Sequence, residues 1–147
     1  MNELAIRRPS QRRRWPMTRE AWLTLVDELG RLRADVVSLA GELAHGVAEV
    51  AVTRAARRLH VLSAVLDDGE QIHEPDRAVI GRRVTLREAD GASVTYAIVF
   101  PGDGEPAQGW LSADSPLGSA VLGCGPGDSV EVTAPAGRRL VTVLSVE

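Results

Sequence analysis

Residues 22–66 read WLTLVDELGRLRADVVSLAGELAHGVAEVAVTRAARRLHVLSAVL, and the spacing of their apolar side chains decides the fold. Trp22, Leu25, Leu29, Leu32, Val36, Leu39 and Leu43 follow alternating steps of three and four residues, the a/d seam of a heptad helix. Ala48, Val52, Ala55, Leu59, Leu62 and Leu66 form a second seam beyond His45-Gly46. If the chain reverses at His45-Gly46, residues facing each other have numbers with a constant total, and every pair from Leu43/Ala48 to Leu25/Leu66 totals 91. The pattern predicts an antiparallel helical hairpin. The plainer alternative is two ordinary amphipathic helices packed on a common core. Thr18 is placed to cap the first helix, and Glu20 sits in its first turn, where the helix dipole favours a negative charge. The first helix should run about 27 residues, or about 40 Å.

Working outward, Asp67-Asp68-Gly69 ends the second helix, with Gly69 suited to a left-handed C-terminal position. Residues 70–80, with Pro75, read as a linker. Beyond them the apolar residues run in short β-type segments punctuated by Gly, Pro and Asp. Strands are expected near Arg83–Arg87, Ser93–Phe100, Gly109–Ser112, Ser129–Thr133 and Arg139–Val146, with turns at Asp90-Gly91 and Pro135-Ala136-Gly137. Ser115 as cap, Pro116 behind it and Gly123 just past the end mark a short helix over Ser115–Leu122. The expected class is α+β. Residues 1–17 form a basic arm, 18–69 an antiparallel coiled coil, 70–80 a linker and 81–147 a β-rich domain.

The chain has 147 residues, and all 17 of its basic residues are Arg. Six of them lie in residues 1–19 with only Glu3, so that segment carries +5 and the remainder −8. This argues against a uniformly cationic nucleic-acid binder but leaves room for a short basic arm on an acidic body. No stretch approaches the roughly 20 apolar residues of a bilayer span, and the Arg-rich start leads into no apolar h-region, so a cytoplasmic protein with no membrane partner is expected. The single Cys124 excludes an internal disulfide and a Cys-based zinc cage, and reads as a small buried thiol. The sequence holds no P-loop, singles out no Ser-His-Asp set and contains three His in all, at 45, 60 and 73. Accordingly no catalytic residue, metal or cofactor is expected, the chain is read as not an enzyme, and a monomer is expected.

The string Ser112-Ala-Asp-Ser-Pro-Leu-Gly-Ser-Ala-Val-Leu-Gly123, followed by Gly127-Asp128-Ser-Val-Glu-Val132 and Pro135-Ala-Gly137, resembles the C-terminal domain of the Gre transcript-cleavage factors of bacterial RNA polymerase. Pro16-Met-Thr-Arg-Glu20 resembles the opening of the Gre coiled coil, and His45-Gly46 its tip, so the resemblance covers residues 16–147. It implies a coiled coil that enters the polymerase secondary channel and an FKBP-like β domain that docks at the channel rim. Carried over residue by residue, Asp114, Ser115 and Pro116 belong to the docking surface, with Leu117 as a neighbour. Read without a partner, the same residues are a helix cap, although capping needs no Asp in front of Ser115. An FKBP-like fold also raises prolyl isomerase activity, but Tyr96, Phe100 and Trp110 are too few aromatic residues to build its cup.

The chain departs from the resemblance at the hairpin tip, where Gre factors carry an Asp after His-Gly and a Glu three positions on. Here those positions are Val47 and Val50. RNA hydrolysis in a polymerase active site relies on two divalent metals, and the tip carboxylates help to hold the second. Valine has no ligand oxygen. Both helices also look shorter than in typical Gre proteins, by about one helical turn or more. Glu42 and Glu49 flank the tip on opposite helices, either as a shifted carboxylate pair or as the solvated face beside a seam. His45 reads as a polar turn residue. Arg54 and Arg58 share a face of the second helix, and with Arg12, Arg13 and Arg14 they are candidate contacts to nucleic acid. Otherwise the helix arginines pair with first-helix acids such as Asp35, and the arm is a solubilising tail. Non-cleaving Gre relatives of the Rnk and Gfh types keep the docking domain and alter the hairpin. The expected function is therefore a transcription regulator bound at the polymerase secondary channel that does not stimulate RNA cleavage. An active GreA-like factor using Glu42 or Glu49, and a coiled-coil module without polymerase affinity, are the alternatives.

Overall fold

The first helix begins where the sequence supplies a cap. In the computed structural model, which describes residues 15–42 and 49–147, the Ala21 amide donates to Thr18 Oγ1 at 3.1 Å, satisfying one of the N–H groups that a first helical turn leaves open. Helix α1 (Arg19–Glu42) follows, and α2 (Glu49–Asp67) packs back along it. The 24 residues of α1 span about 36 Å. Leu25 and Leu29 near the start of α1 are buried with Leu62 and Val65 near the end of α2, while Trp22, Leu32, Leu59 and Leu66 are partly buried against them. Towards the tip, Val36, Leu39, Val52 and Ala55 are only half-buried, because two helices without a third layer cover each other's stripe incompletely. Burial is therefore graded, deep at the base and shallow at the tip.

Two short strands close that base. β1 (Trp15–Met17) pairs in parallel with β2 (Gly69–Gln71), and Met17 also bridges Ile80 on its other side. The Ile80 amide donates to the Pro16 carbonyl and the Thr18 amide to the Ile80 carbonyl, both at 3.0 Å. The last three residues of the expected arm thus form a strand, with Met17 fully buried. Gly69 is not the left-handed cap that the sequence suggested. It opens β2, and a side chain there would meet the Trp22 ring at 2.9 Å, so its small size is used for close packing.

The stretch expected as linker ends inside the core, with Ala78, Val79 and Ile80 all buried. The Ala78 amide donates to Cys124 O and Gly123 N donates to Ala78 O, each at 2.7 Å. Arg82 Nη1 donates to the carbonyls of Glu74 and Arg77, which ties the preceding turn down.

The remaining elements are β3 (Arg83–Arg87), β4 (Ser93–Val99), a 3-10 turn (Pro106–Gln108), β5 (Trp110–Ser112), α3 (Pro116–Val121), β6 (Ser129–Ala134) and β7 (Gly137–Val146). They form one five-stranded sheet in the order β5-β4-β3-β7-β6, antiparallel except for the β4–β5 pair. Alternation along β3 explains its placement: Val84 and Leu86 are buried, whereas Arg83 and Arg87 are exposed. Helix α3 covers the inner face at β6, and Leu117, Val121, Ile98, Leu111, Val132, Val141 and Val143 join the hairpin base in one continuous core. Cys124, the one cysteine of the sequence, is buried as a small thiol in that core, its Sγ donating to the Ala120 carbonyl at 3.6 Å. The α+β architecture, a helical hairpin followed by an FKBP-like β-rich domain, agrees with the sequence reading. Among the described residues no helix is long and apolar enough to cross a membrane.

Candidate functional site

The turn leading into α3 is built around Ser112. Its carbonyl accepts from Ser115 Oγ at 2.7 Å and from Ser115 N at 3.1 Å, and its hydroxyl donates to Asp114 Oδ1. Ser115 Oγ accepts from Gly118 N at 3.0 Å, which is the expected cap, with Pro116 at the first helical position, where no amide is needed. Ser119 Oγ donates to the Ala113 carbonyl at 3.2 Å, bracing the turn from behind. Capping is thus complete without Asp114. Asp114 and Pro116 stand exposed beside a half-buried Ser115. Leu117, expected as a neighbour on this surface, points into the core and is 7% exposed.

Sequence reasoning missed the roles of Ser112 and Gly118. A Cβ at Gly118 would lie 2.0 Å from the Ser112 carbonyl oxygen, so the turn closes only over a glycine. The available signal was a glycine in the first turn of a short helix, where helix propensity alone disfavours it.

At the other end of the molecule, Glu42 is the last residue of α1 and Glu49 the first of α2, and both are exposed. Val50 is 76% exposed, an apolar side chain facing outward beside the tip. His45, Gly46 and Val47 lie outside the described residues, as do Arg12, Arg13 and Arg14. Glu49, Val50, Thr53, Arg54 and Arg57 line an open depression on α2. Arg54 is exposed and pairs with no carboxylate among the described residues.

Arg58, the other candidate nucleic-acid contact on α2, sits in a half-buried ion cluster. Its Nε and Nη2 donate to Glu28 Oε1 at 3.2 and 3.1 Å, Nη2 also donates to Asp103 Oδ2 at 2.7 Å, and Nη1 donates to Asp103 Oδ1. Burial would lower its pKa, but the hydrogen bonds and charges of Asp103 and Glu28 outweigh that and raise it above the usual arginine range, so the guanidinium stays charged. The expected pairing with a first-helix acid is present, made to Glu28 instead of Asp35. Among the described residues no group of three or more His, Cys, Asp or Glu is arranged to hold a metal ion.

Residues 73–147 match the family model described as transcription elongation factor, GreA/GreB, C-terminal. The chain is 33% identical to transcription elongation factor GreA of Sphingopyxis alaskensis, over 90% of this chain and 94% of that protein. It is 34% identical to the GreA of Anaeromyxobacter sp. (strain K), over 90% of this chain and 92% of that protein. Among solved structures, the GreA factor homolog 1 (Gfh1) of Thermus thermophilus aligns at 22% identity and a TM-score of 0.45, covering 92% of this chain and 99% of that one. The GreA/GreB factor of Nitrosomonas europaea aligns at 19% identity and a TM-score of 0.47, covering 92% and 98%. These names correct one expectation. The reading of the chain as not an enzyme does not stand beside relatives that align over nine-tenths of its length and are named transcription elongation factor GreA.

Proposed function

The chain belongs to the GreA/GreB family of transcription elongation factors, and from that premise we propose that it binds bacterial RNA polymerase at the secondary channel, its β domain on the rim and its hairpin inside. The Asp114-Ser115-Pro116 turn, with Asp114 and Pro116 exposed, supplies the rim contact. What carries this reading is that Asp114 is held by Ser112 and left exposed while Ser115 and Pro116 complete the helix cap without it. A carboxylate that the helix cap does not need, fixed on a rigid turn, suits recognition of a partner. The hairpin modulates transcription by occupying the channel without stimulating RNA cleavage, since Val47 and Val50 offer no oxygen to a second metal. Contact with nucleic acid is indirect, through the transcription complex, with Arg54 as the α2 residue available for it.

A second reading is favoured by one observation: Glu42 and Glu49 end the two helices with exposed side chains, so a GreA-like factor could present carboxylates from these positions. A stalled, backtracked elongation complex incubated with the protein and magnesium separates the two. Channel occupancy predicts unchanged RNA 3′ ends together with an altered run-off yield. Shortened 3′ ends that persist in wild type and disappear in Glu42→Gln/Glu49→Gln would establish the second reading in its place.

A further inference from the structure

The ion cluster around Arg58 joins three parts of the chain that no local pattern connects. Arg58 lies on α2, Glu28 on α1 and Asp103 in the connection after β4. Arg58 sits nine residues before the end of α2 at Asp67, about 14 Å up the hairpin from its base. The β1–β2 ladder, the Met17–Ile80 bridge and the shared core around Leu25, Leu62 and Val65 hold the hairpin at that base. A hairpin fixed at one end can tilt. A second attachment partway along it removes that freedom, as a brace does for a lever.

The segment that carries Asp103 is itself stiff. Phe100-Pro101-Gly102-Asp103 is a tight turn in which Asp103 N donates to Phe100 O at 3.0 Å, with Pro101 buried and Gly102 at φ +88°. Proline at the second position and a left-handed glycine at the third are the residues that a type II turn demands. The same turn reaches the candidate docking loop: Gly102 N donates to Ser112 Oγ at 3.4 Å, and a Cβ on Gly104 would come within 2.8 Å of the Ser112 side chain. Ser112 Oγ in turn donates to Asp114. One rigid turn therefore touches the hairpin through Asp103 and the docking loop through Ser112.

We propose that Arg58, Glu28 and Asp103 are positioning residues that fix the angle of the hairpin relative to the docking turn, so that a domain seated by Asp114 and Pro116 aims the tip along one direction. Asp103 takes one fork of the guanidinium and Glu28 the other, so the cluster specifies direction as well as attraction. The aiming role rests on the channel reading above. The clamp itself is a property of the free chain.

The test uses the full chain with Cys124→Ala and spin labels at Ser38→Cys and Ala136→Cys, two exposed positions, one on α1 beyond the clamp and one in the β6–β7 turn. With the clamp intact, the distance distribution is single and narrow. Arg58→Ala and Asp103→Asn should each broaden it, and Asp103→Asn, a change at a turn residue, carries the test if Arg58→Ala reduces helix content by circular dichroism. Unchanged distributions in folded variants would overturn the clamp. On polymerase, the variants should bind within about threefold of wild type, because the docking turn is a separate contact. Their effect on run-off yield should fall about tenfold, as misaimed groups lose productive geometry. A wild-type effect retained in variants with broadened distances would overturn the aiming role. Failure of the wild type to bind polymerase would refute the channel reading and the aiming role with it, while the distances on the free chain would still decide the clamp.

Discussion

Gly118 shows how closely the turn before α3 is built. Its backbone passes so near the Ser112 carbonyl that even one methyl group would sit 2.0 Å from the oxygen, a contact that only movement of the turn can relieve. Gly118→Ala should therefore destabilise the β domain by about 1–3 kcal/mol, the usual cost of overpacking, measured as a lowered denaturant midpoint with unchanged slope. A midpoint within error of wild type would show that the turn shifts freely. Around this residue the sequence was legible in part. Ser115 and Pro116 announced a cap, and the cap is there. Leu117 could not be assigned to a face from the motif alone, because a six-residue helix is too short for its period to show which side meets the sheet. The pairing of Arg58 with Asp103 was not legible because the two stand 45 residues apart.

At the scale of elements, the hairpin is held by its base. Leu62 is fully buried against Leu25 and Leu29, whereas Leu39 nearer the tip is half-buried. Leu62→Ala should cost about 2–4 kcal/mol, and Leu39→Ala about 1 kcal/mol or less, since the cavity term needs surrounding atoms that the tip lacks. Paired thermal unfolding measurements check this, and equal losses would mean that the tip seam is packed as firmly as the base. Strands β3 to β7 were readable within two residues at their ends because one face is buried and the side chains alternate. β1 and β2 were not. Three residues each carry no period, and their pairing joins Trp15 to Gly69 across the whole length of the hairpin. Distance along the chain also hid the burial of residues 78–80, since Ala78 pairs with Gly123 and Cys124 and Ile80 with Pro16 and Thr18.

For the whole molecule, the charge imbalance takes on a narrower meaning. The net charge is −3, and its acidic surplus lies mostly in residues 68–147, with 12 acids against 6 Arg, while tip positions 47 and 50 are Val. A continuous core, a stitched base and the Arg58 cluster make the hairpin and the β domain one object, suited to presenting a tip at a set distance and angle from a docking turn. Docking is thus the claim on which the rest depends, and binding to purified bacterial RNA polymerase core tests it most directly. The wild-type chain should bind, and Asp114→Ala/Pro116→Ala should bind at least about tenfold more weakly while its folding stability stays within about 1–2 kcal/mol, the most that loss of a cap removes. No binding by wild type, or equal binding by the folded double variant, would contradict the account.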